Sequence, residues 1–288
     1  MNPDKTSDIQ NFWTRSPETY SEGLHGGNLY DGKRVEFGTR EFFENVDRRF
    51  ITPRTHMHTD RPFGAVFPFD RYASSRILEI GCGMGTMAMQ WAKTGCSYTA
   101  VDLSPMSIEM TSRRFELFGY SGAFLLGDAR RLPFGDGSFD FGYSWGVLHH
   151  SPDLPQSLRE LMRVIRKGGE FAVMLYNRNS LLYRYFIRFR QGFLNMESKF
   201  LNPLELASRY TDDFAKEGNP HTWPVTEQEI RDILSPYADP MKFWIHGSDV
   251  STHLAHIVPV LGSRLPAWAV KPWARRYGWS LCFSGVRR

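Results

Sequence analysis

The run Glu79-Ile80-Gly81-Cys82-Gly83-Met84-Gly85 is the first place in the chain where residue types and spacing could do chemistry. It follows a short apolar stretch, and three glycines there let backbone approach a ligand closely. The next apolar stretch ends at Asp102, about 20 residues after Gly81, where a carboxylate can take both ribose hydroxyls of an adenosine. The glycines read GxGxG rather than GxGxxG, with Thr86 where a dinucleotide site has its third glycine. Glu79 would repel a pyrophosphate but could hold a cationic amino group. The expected ligand is therefore an adenosine carrying an amino acid, in preference to a dinucleotide.

Two further runs carry candidate groups. Gly127-Asp128-Ala129 ends a third apolar stretch, and the alternative for Asp128 is a plain turn residue. His149-His150 follows a fourth, after Ser144-Trp145-Gly146, which would wall the reaction channel. A histidine titrating near neutrality is a natural base for a hydroxyl acceptor. A packing role competes equally, and the sequence does not separate His149 from His150. His56-Met57-His58-Thr59-Asp60 has the look of an HxHxD metal motif, but Pro53 and Arg54 precede it instead of a buried strand, so no metal is expected.

The elements that must position these groups alternate. Strands are expected at 76–80, 98–101, 123–126, 139–143 and 171–175. Helices intervene: one after the glycine run, one capped by Ser104 with Pro105 in its first turn, and one marked by Leu158, Leu161, Met162 and Ile165 and stopped by Lys167-Gly168-Gly169. Such alternation gives an α/β fold with a mostly parallel sheet, and right-handed crossovers bring the loops after the strands to one edge. All the candidate groups sit on those loops. Upstream, 39–50 is helical, with Phe42, Phe43, Val46 and Phe50 on one face. Downstream the alternation breaks until strands at 242–245 and 279–286, and Thr226-Glu227-Gln228-Glu229 caps a helix between.

From 76 to 175 the chain resembles the class I S-adenosylmethionine-dependent methyltransferases, type 11 small-molecule group. The resemblance rests on ILEIGCGMG at 77–85, Val101-Asp102-Leu103-Ser104, GDARRLPF at 127–134, Ser138-Phe139-Asp140, Val147-Leu148-His149-His150 and RVIRKGG at 163–169. It implies a doubly wound, seven-stranded Rossmann-like sheet with an antiparallel last strand. It also implies S-adenosylmethionine as cofactor, S-adenosylhomocysteine as product and in-line methyl transfer to a small-molecule acceptor, lipid-like or anionic ones included. In the binding site, Glu79, Gly81, Gly83 and Gly85 would meet the methionine part, Asp102 the ribose, and Leu103, Asp128 and Ala129 the adenine, with Ser144 beside them. His149 or His150 would be the catalytic residue. A lysine stands at 167 where the family usually has proline. The competing readings are a NAD-dependent oxidoreductase, disfavoured by Thr86 and Glu79, and a non-catalytic S-adenosylmethionine-binding protein.

Composition sets the outer bounds. With 288 residues, 41% hydrophobic and 23% charged, the chain can bury a sizeable core and is neither disordered nor a disulfide scaffold. Cys82, Cys96 and Cys282 lack CxxC spacing, and the polar start carries no signal, so a cytoplasmic setting is expected. No apolar run approaches ~18 residues, so no membrane span is expected. A net charge of +4 is too mild to argue for nucleic acid, and the aromatic turns of nucleic-acid methyltransferases are absent after the fourth strand. The division expected is an N-terminal cap at 1–75, a cofactor core at 76–176, a helical cap insertion at 177–241, and last strands with a second cap insertion at 242–288. After Asp249 no acid occurs, while Arg264, Lys271, Arg275 and Arg276 interleave with Trp268 and Trp273. The tryptophans are expected to wall the pocket, with a basic rim. Pro266 and Pro272 are expected to interrupt any long amphipathic helix.

Overall fold

The computed structural model describes residues 5–16, 28–30, 33–52, 57–212, 218–247, 250 and 267–288. Seven strands form one sheet: β1 (Arg76–Ile80), β2 (Ser97–Asp102), β3 (Ala123–Leu126), β4 (Phe139–Trp145), β5 (Ile165–Tyr176), β6 (Ala238–His246) and β7 (Ser280–Arg287), in spatial order β3-β2-β1-β4-β5-β7-β6. The first five pair in parallel, and β7 runs antiparallel to both β5 and β6. The order reverses between β1 and β4, so the loops after them flank the crevice where open α/β sheets bind ligands.

Strand alternation assigns the two faces. On β1, Leu78 and Ile80 point into a core shared with Leu158, Leu161 and Ile230. Ile77 points the other way, into an aromatic cluster of Phe67, Phe69, Trp91, Phe141 and Tyr143, and Glu79 shares that side of the strand. Phe63, Phe67, Phe69 and Tyr72 thus pack the sheet face from the N-terminal segment. Asp140, in the Ser138-Phe139-Asp140 run, accepts from Arg76 N (2.9 Å) and Arg166 Nε (2.8 Å) and ties three strands together. The arginines hold its carboxyl far below the usual range despite partial burial.

Local signals formed as their chemistry requires. Ser104 Oγ accepts from Ser107 N at the start of α4 (Pro105–Phe118), which follows α1 (Thr6–Arg15), α2 (Arg40–Ile51) and α3 (Thr86–Ala92). Thr226 and Glu229 form a reciprocal capping box on the Glu227–Leu234 helix. Thr39 caps α2 from outside it. The expected stop at Lys167-Gly168-Gly169 is not where the helix ends: α5 (Leu154–Val164) closes three residues earlier because Ile165 already starts β5 and pairs with Phe139 of β4. Pro272 does not interrupt its helix, Ala267–Tyr277, and Trp273 is 52% exposed instead of walling a pocket. Arg264 and Pro266 lie outside the described residues, as does the Trp268 side chain. Among the described residues, no helix is long and apolar enough to cross a membrane.

Candidate functional site

A cavity of about 300 Å³ opens at the carboxyl ends of β1, β2, β4 and β5. One side of it is built from the glycine run. Gly81 has φ +85°, and a Cβ there would fall 2.3 Å from Val147 Cγ2, so the loop and the turn after β4 touch backbone to side chain. Gly85, at φ +73°, starts α3 but does not line the cavity; its Cβ would press on Thr111 at 3.0 Å. Glu79, Gly81, Gly83, Asp102, Leu103, Asp128 and Ala129 all line it. Ser144 does not. It is fully buried and its hydroxyl donates to Ile80 O at 2.9 Å, joining β4 to β1 below the cavity.

Asp102 is held in place by backbone donors: Oδ1 accepts from Ser104 N at 2.8 Å and Oδ2 from Gly83 N at 3.1 Å. Burial nonetheless pushes its carboxyl up. Glu79 lies deeper. Tyr98 Oη donates to it, and burial raises its pKa to about 7 although that hydrogen bond favours the anion. A carboxyl poised near neutrality, facing an apolar cavity, suits a cationic amino group, and Asp102 at the end of β2 suits a vicinal diol. Asp128 accepts from Arg130 N (2.8 Å), Nε and Nη2 (2.7 Å), and the same guanidinium reaches Thr6 on α1. The residues present thus fit an adenosine bearing an amino acid.

α1 packs over this side. Gln10 Nε2 donates to Leu103 O at 3.0 Å, and Ser104 Oγ donates to Trp13 O at 3.1 Å. Ile9 and Trp13 enter the cavity wall. α2 closes the start of α3: Thr86 Oγ1 donates to Asp47 Oδ1 at 2.8 Å, and the buried Arg114 pairs with the same carboxylate. Asp47 therefore sits beside the α3 N-terminus, where a dinucleotide would need its pyrophosphate.

The other side is apolar and aromatic, with Trp13, Phe50, Met57, Trp145, Met174 and Trp279 on its walls. His150 and His149 part company here. His150 lines the cavity, and its Nδ1 donates to His221 O at 2.8 Å, which leaves Nε2 as the lone-pair nitrogen. That Nε2 stands 3.5 Å from Oδ2 of Asp212, a cavity-lining carboxylate, and both atoms lack a hydrogen-bond partner. Burial lowers the imidazole pKa and raises the Asp212 carboxyl, each opposed by the charge of the other. His149 is fully buried, packs against the Tyr176 ring at 3.7 Å between centroids with the planes tilted by 32°, and does not line the cavity; burial drives its pKa far down.

Asp212 is held from several directions. Tyr176 Oη donates to its Oδ1 at 2.6 Å, and the Tyr176 ring stacks on Trp279 at 4.3 Å. Its neighbour Thr211 accepts from Asn219 Nδ2 through its carbonyl at 2.6 Å and donates to Thr222 Oγ1 at 3.1 Å. Asp212, Tyr176 and Trp279 escape sequence reasoning because they come from an insertion, from the end of β5 and from the residue before β7, with no fixed spacing from His150. His149, His150 and Asp212 together are also a possible set of metal ligands. His58 is committed elsewhere: its Nδ1 accepts from Phe63 N at 3.0 Å and its Nε2 donates to Ile51 O at 3.0 Å. His56 lies outside the described residues.

Residues 78–173 match the family model described as a methyltransferase domain. A phthiotriol/phenolphthiotriol dimycocerosates methyltransferase of Mycobacterium ulcerans is 41% identical over 102 residues, which is 35% of this chain and 39% of that one. Sterol 4-C-methyltransferase strm-1 of Caenorhabditis elegans is 33% identical over 98 residues, 33% of this chain and 29% of that one. The chain thus spans well under half the length of these relatives. Among solved structures, a SAM-dependent methyltransferase of Methanosarcina mazei superposes with a TM-score of 0.51 at 21% identity, covering 77% of this chain and 97% of that one. The [4+2]-cyclase SpnF superposes with 0.52 at 15% identity, covering 99% and 96%. Both likenesses are of fold.

Proposed function

We propose, with residues 78–173 as a methyltransferase domain for premise, that this chain transfers the methyl group of S-adenosylmethionine to an O–H or N–H of a small, largely apolar acceptor. The observation that carries the acceptor chemistry is the pair His150 Nε2 and Asp212 Oδ2. Both are proton acceptors at the cavity wall, and the structure gives neither a donor. A group that arrives with a hydrogen to give satisfies them, and one without leaves a buried pair unmet. The relatives named for phthiotriol dimycocerosates and for a sterol make a lipid-like acceptor the natural first class to test.

In this reading Asp102 takes the ribose, Glu79 the amino group, and Leu103, Ala129 and Asp128 frame the adenine. When bound, S-adenosylmethionine supplies an electrophilic methyl on a sulfonium and is left as S-adenosylhomocysteine. His150 orients the acceptor and takes its proton at Nε2, with Nδ1–H held by His221 O. Asp212 stabilises the imidazolium so formed, and Tyr176 fixes the carboxylate. α1 and the segments after Tyr176 act as the cap that keeps water out.

The test is incubation with S-adenosylmethionine labelled at the methyl, across hydroxyl- and amine-bearing apolar acceptors and their O- and N-blocked counterparts. Label should move only to acceptors with a free hydrogen. Transfer to the blocked set alone, or no transfer to any acceptor, defeats the reading.

A further inference from the structure

Among the described residues, nine large apolar side chains are exposed, and five fall within residues 189–200: Phe189, Phe193, Leu194, Met196 and Phe200, the last at 83%. The clustering follows from how the Leu182–Leu194 helix packs. Its inner face places Tyr183 and Ile187 against Leu206 and Ala207. Its backbone closes in wide, π-type turns, with Asn195 N donating to Arg190 O, five residues back. Phe189 and Phe193 are left outside, stacked at 5.9 Å, with Tyr185 5.8 Å from Phe189. The turn that follows keeps Met196 and Phe200 in water. A ridge of this size is unusual on a protein surface that has no partner.

Charge selects the partner. Residues 182–200 hold four cations, Arg184, Arg188, Arg190 and Lys199, against one acid, Glu197. Glu197 is already engaged by Tyr210 Oη and lies 3.7 Å from Arg209, whereas Arg184, Arg190 and Lys199 are exposed. A two-fold contact between copies would set these cations against themselves. Aromatic tips interleaved with exposed cations instead fit the headgroup layer of an anionic bilayer.

We infer that the Phe189–Phe200 ridge seats this protein peripherally on anionic lipid surfaces, with Phe193 and Phe200 inserted and Arg190 and Lys199 on lipid phosphates. Behind the ridge, the inner face of the same helix shares its apolar cluster with Trp279, which lines the cavity. Docking here sets the acceptor side of the cavity one packed layer from the lipid. The inference rests on exposure and charge and does not depend on methyl transfer.

Cosedimentation of the full chain with vesicles of equal parts phosphatidylglycerol and phosphatidylcholine, against phosphatidylcholine alone, tests it. Binding should favour the anionic vesicles and fall in about 1 M salt, where the screening length shrinks to about 3 Å. Each of Arg190→Gln and Lys199→Gln should weaken it about five-fold. Phe193→Glu with Phe200→Glu should abolish it while leaving the melting temperature unchanged, since both side chains are exposed. Failure of the wild type to bind anionic vesicles overturns the inference, as does binding that survives the double Phe variant. A concentration-dependent dimer in sedimentation velocity, lost in that variant without vesicle binding by the wild type, would assign the ridge to a second copy and also overturn it.

Discussion

His150 Nε2 and Asp212 Oδ2 face one another across 3.5 Å at the cavity wall, brought together from the turn after β4 and from the segment before residue 213. With Nδ1 spent on His221 O, the imidazole has a single tautomer compatible with its surroundings, and the lone pair points at the carboxylate. The two groups thus compete for one proton in a buried space, and in the proposed reaction an acceptor hydroxyl or amine would resolve the competition.

His150→Ala should lower turnover by ~10²–10⁴ with cofactor affinity kept, the range for loss of a general base. His149→Phe should cost far less, because that ring packs on Tyr176 and does not reach the cavity. Asp212→Asn gives a signature that a packing role would not. Removing the carboxylate takes away the charge that raises the His150 pKa, so the acid limb of the pH–rate profile should move to lower pH as turnover drops. An unchanged profile with reduced turnover would demote Asp212 to a structural residue.

Much of this was legible locally and little of it at long range. The Ser104 cap, the Thr226–Glu229 box, the glycine run and Asp102 could be read because their partners lie within a few residues or at a strand end. Asp212 could not, since Tyr176 and His150 reach it across 36 and 62 positions that obey no period. Lys167-Gly168-Gly169 misled for the converse reason: sheet pairing at Ile165 had already ended the helix, overriding local propensity. Pro272 shows the same limit, because its helix continues around it.

Glu79 predicts a pH dependence of cofactor affinity. Its folded pKa is raised to about 7 from 4.5 by burial, so below that pH the carboxyl keeps its proton, and a cationic amino group must displace it. Affinity for S-adenosylmethionine should therefore rise as pH increases through about 7, with a proton released on binding, and Glu79→Gln should flatten the rise. The same shift acts oppositely on the unliganded fold. Between 4.5 and 7 the folded state holds the proton that the unfolded state has lost, so this group's contribution to stability declines as pH rises. Calorimetry in buffers of different ionisation enthalpy reads the proton release directly, and none at pH 6 would remove Glu79 from the amino-group site.

Asp102 predicts a thermal shift. At ~100-fold excess over its dissociation constant, a ligand bound only by the folded state adds about 2.7 kcal/mol. Asp102→Ala deletes a charge-assisted contact worth roughly 1.5–3 kcal/mol and also frees Gly83 N and Ser104 N, which it holds. Most of the S-adenosylmethionine-induced rise in melting temperature should vanish. A wild-type chain whose melting ignores both S-adenosylmethionine and S-adenosylhomocysteine would remove the cofactor assignment altogether.

Gly81→Ala joins the two halves of the site in one measurement. A Cβ at this position would lie 2.3 and 2.5 Å from the two Val147 methyls and 2.8 Å from Val147 Cβ, with φ at +85°. Val147 leads directly into the Leu148–His150 turn, so the side chain that must retreat is attached to the loop that carries His150. The left-handed backbone alone costs an alanine roughly 1–2 kcal/mol. The steric displacement comes on top, so a total loss of at least ~2 kcal/mol in stability is expected, with weaker cofactor binding and slower turnover together. Adding Val147→Ala removes the two nearest methyls but leaves the Cβ contact and the backbone strain. The double variant should therefore regain part of the stability and of the turnover, so that its loss is smaller than the sum of the two single losses. Strictly additive losses would show that the glycine loop and the His150 turn do not press on one another, contrary to this geometry.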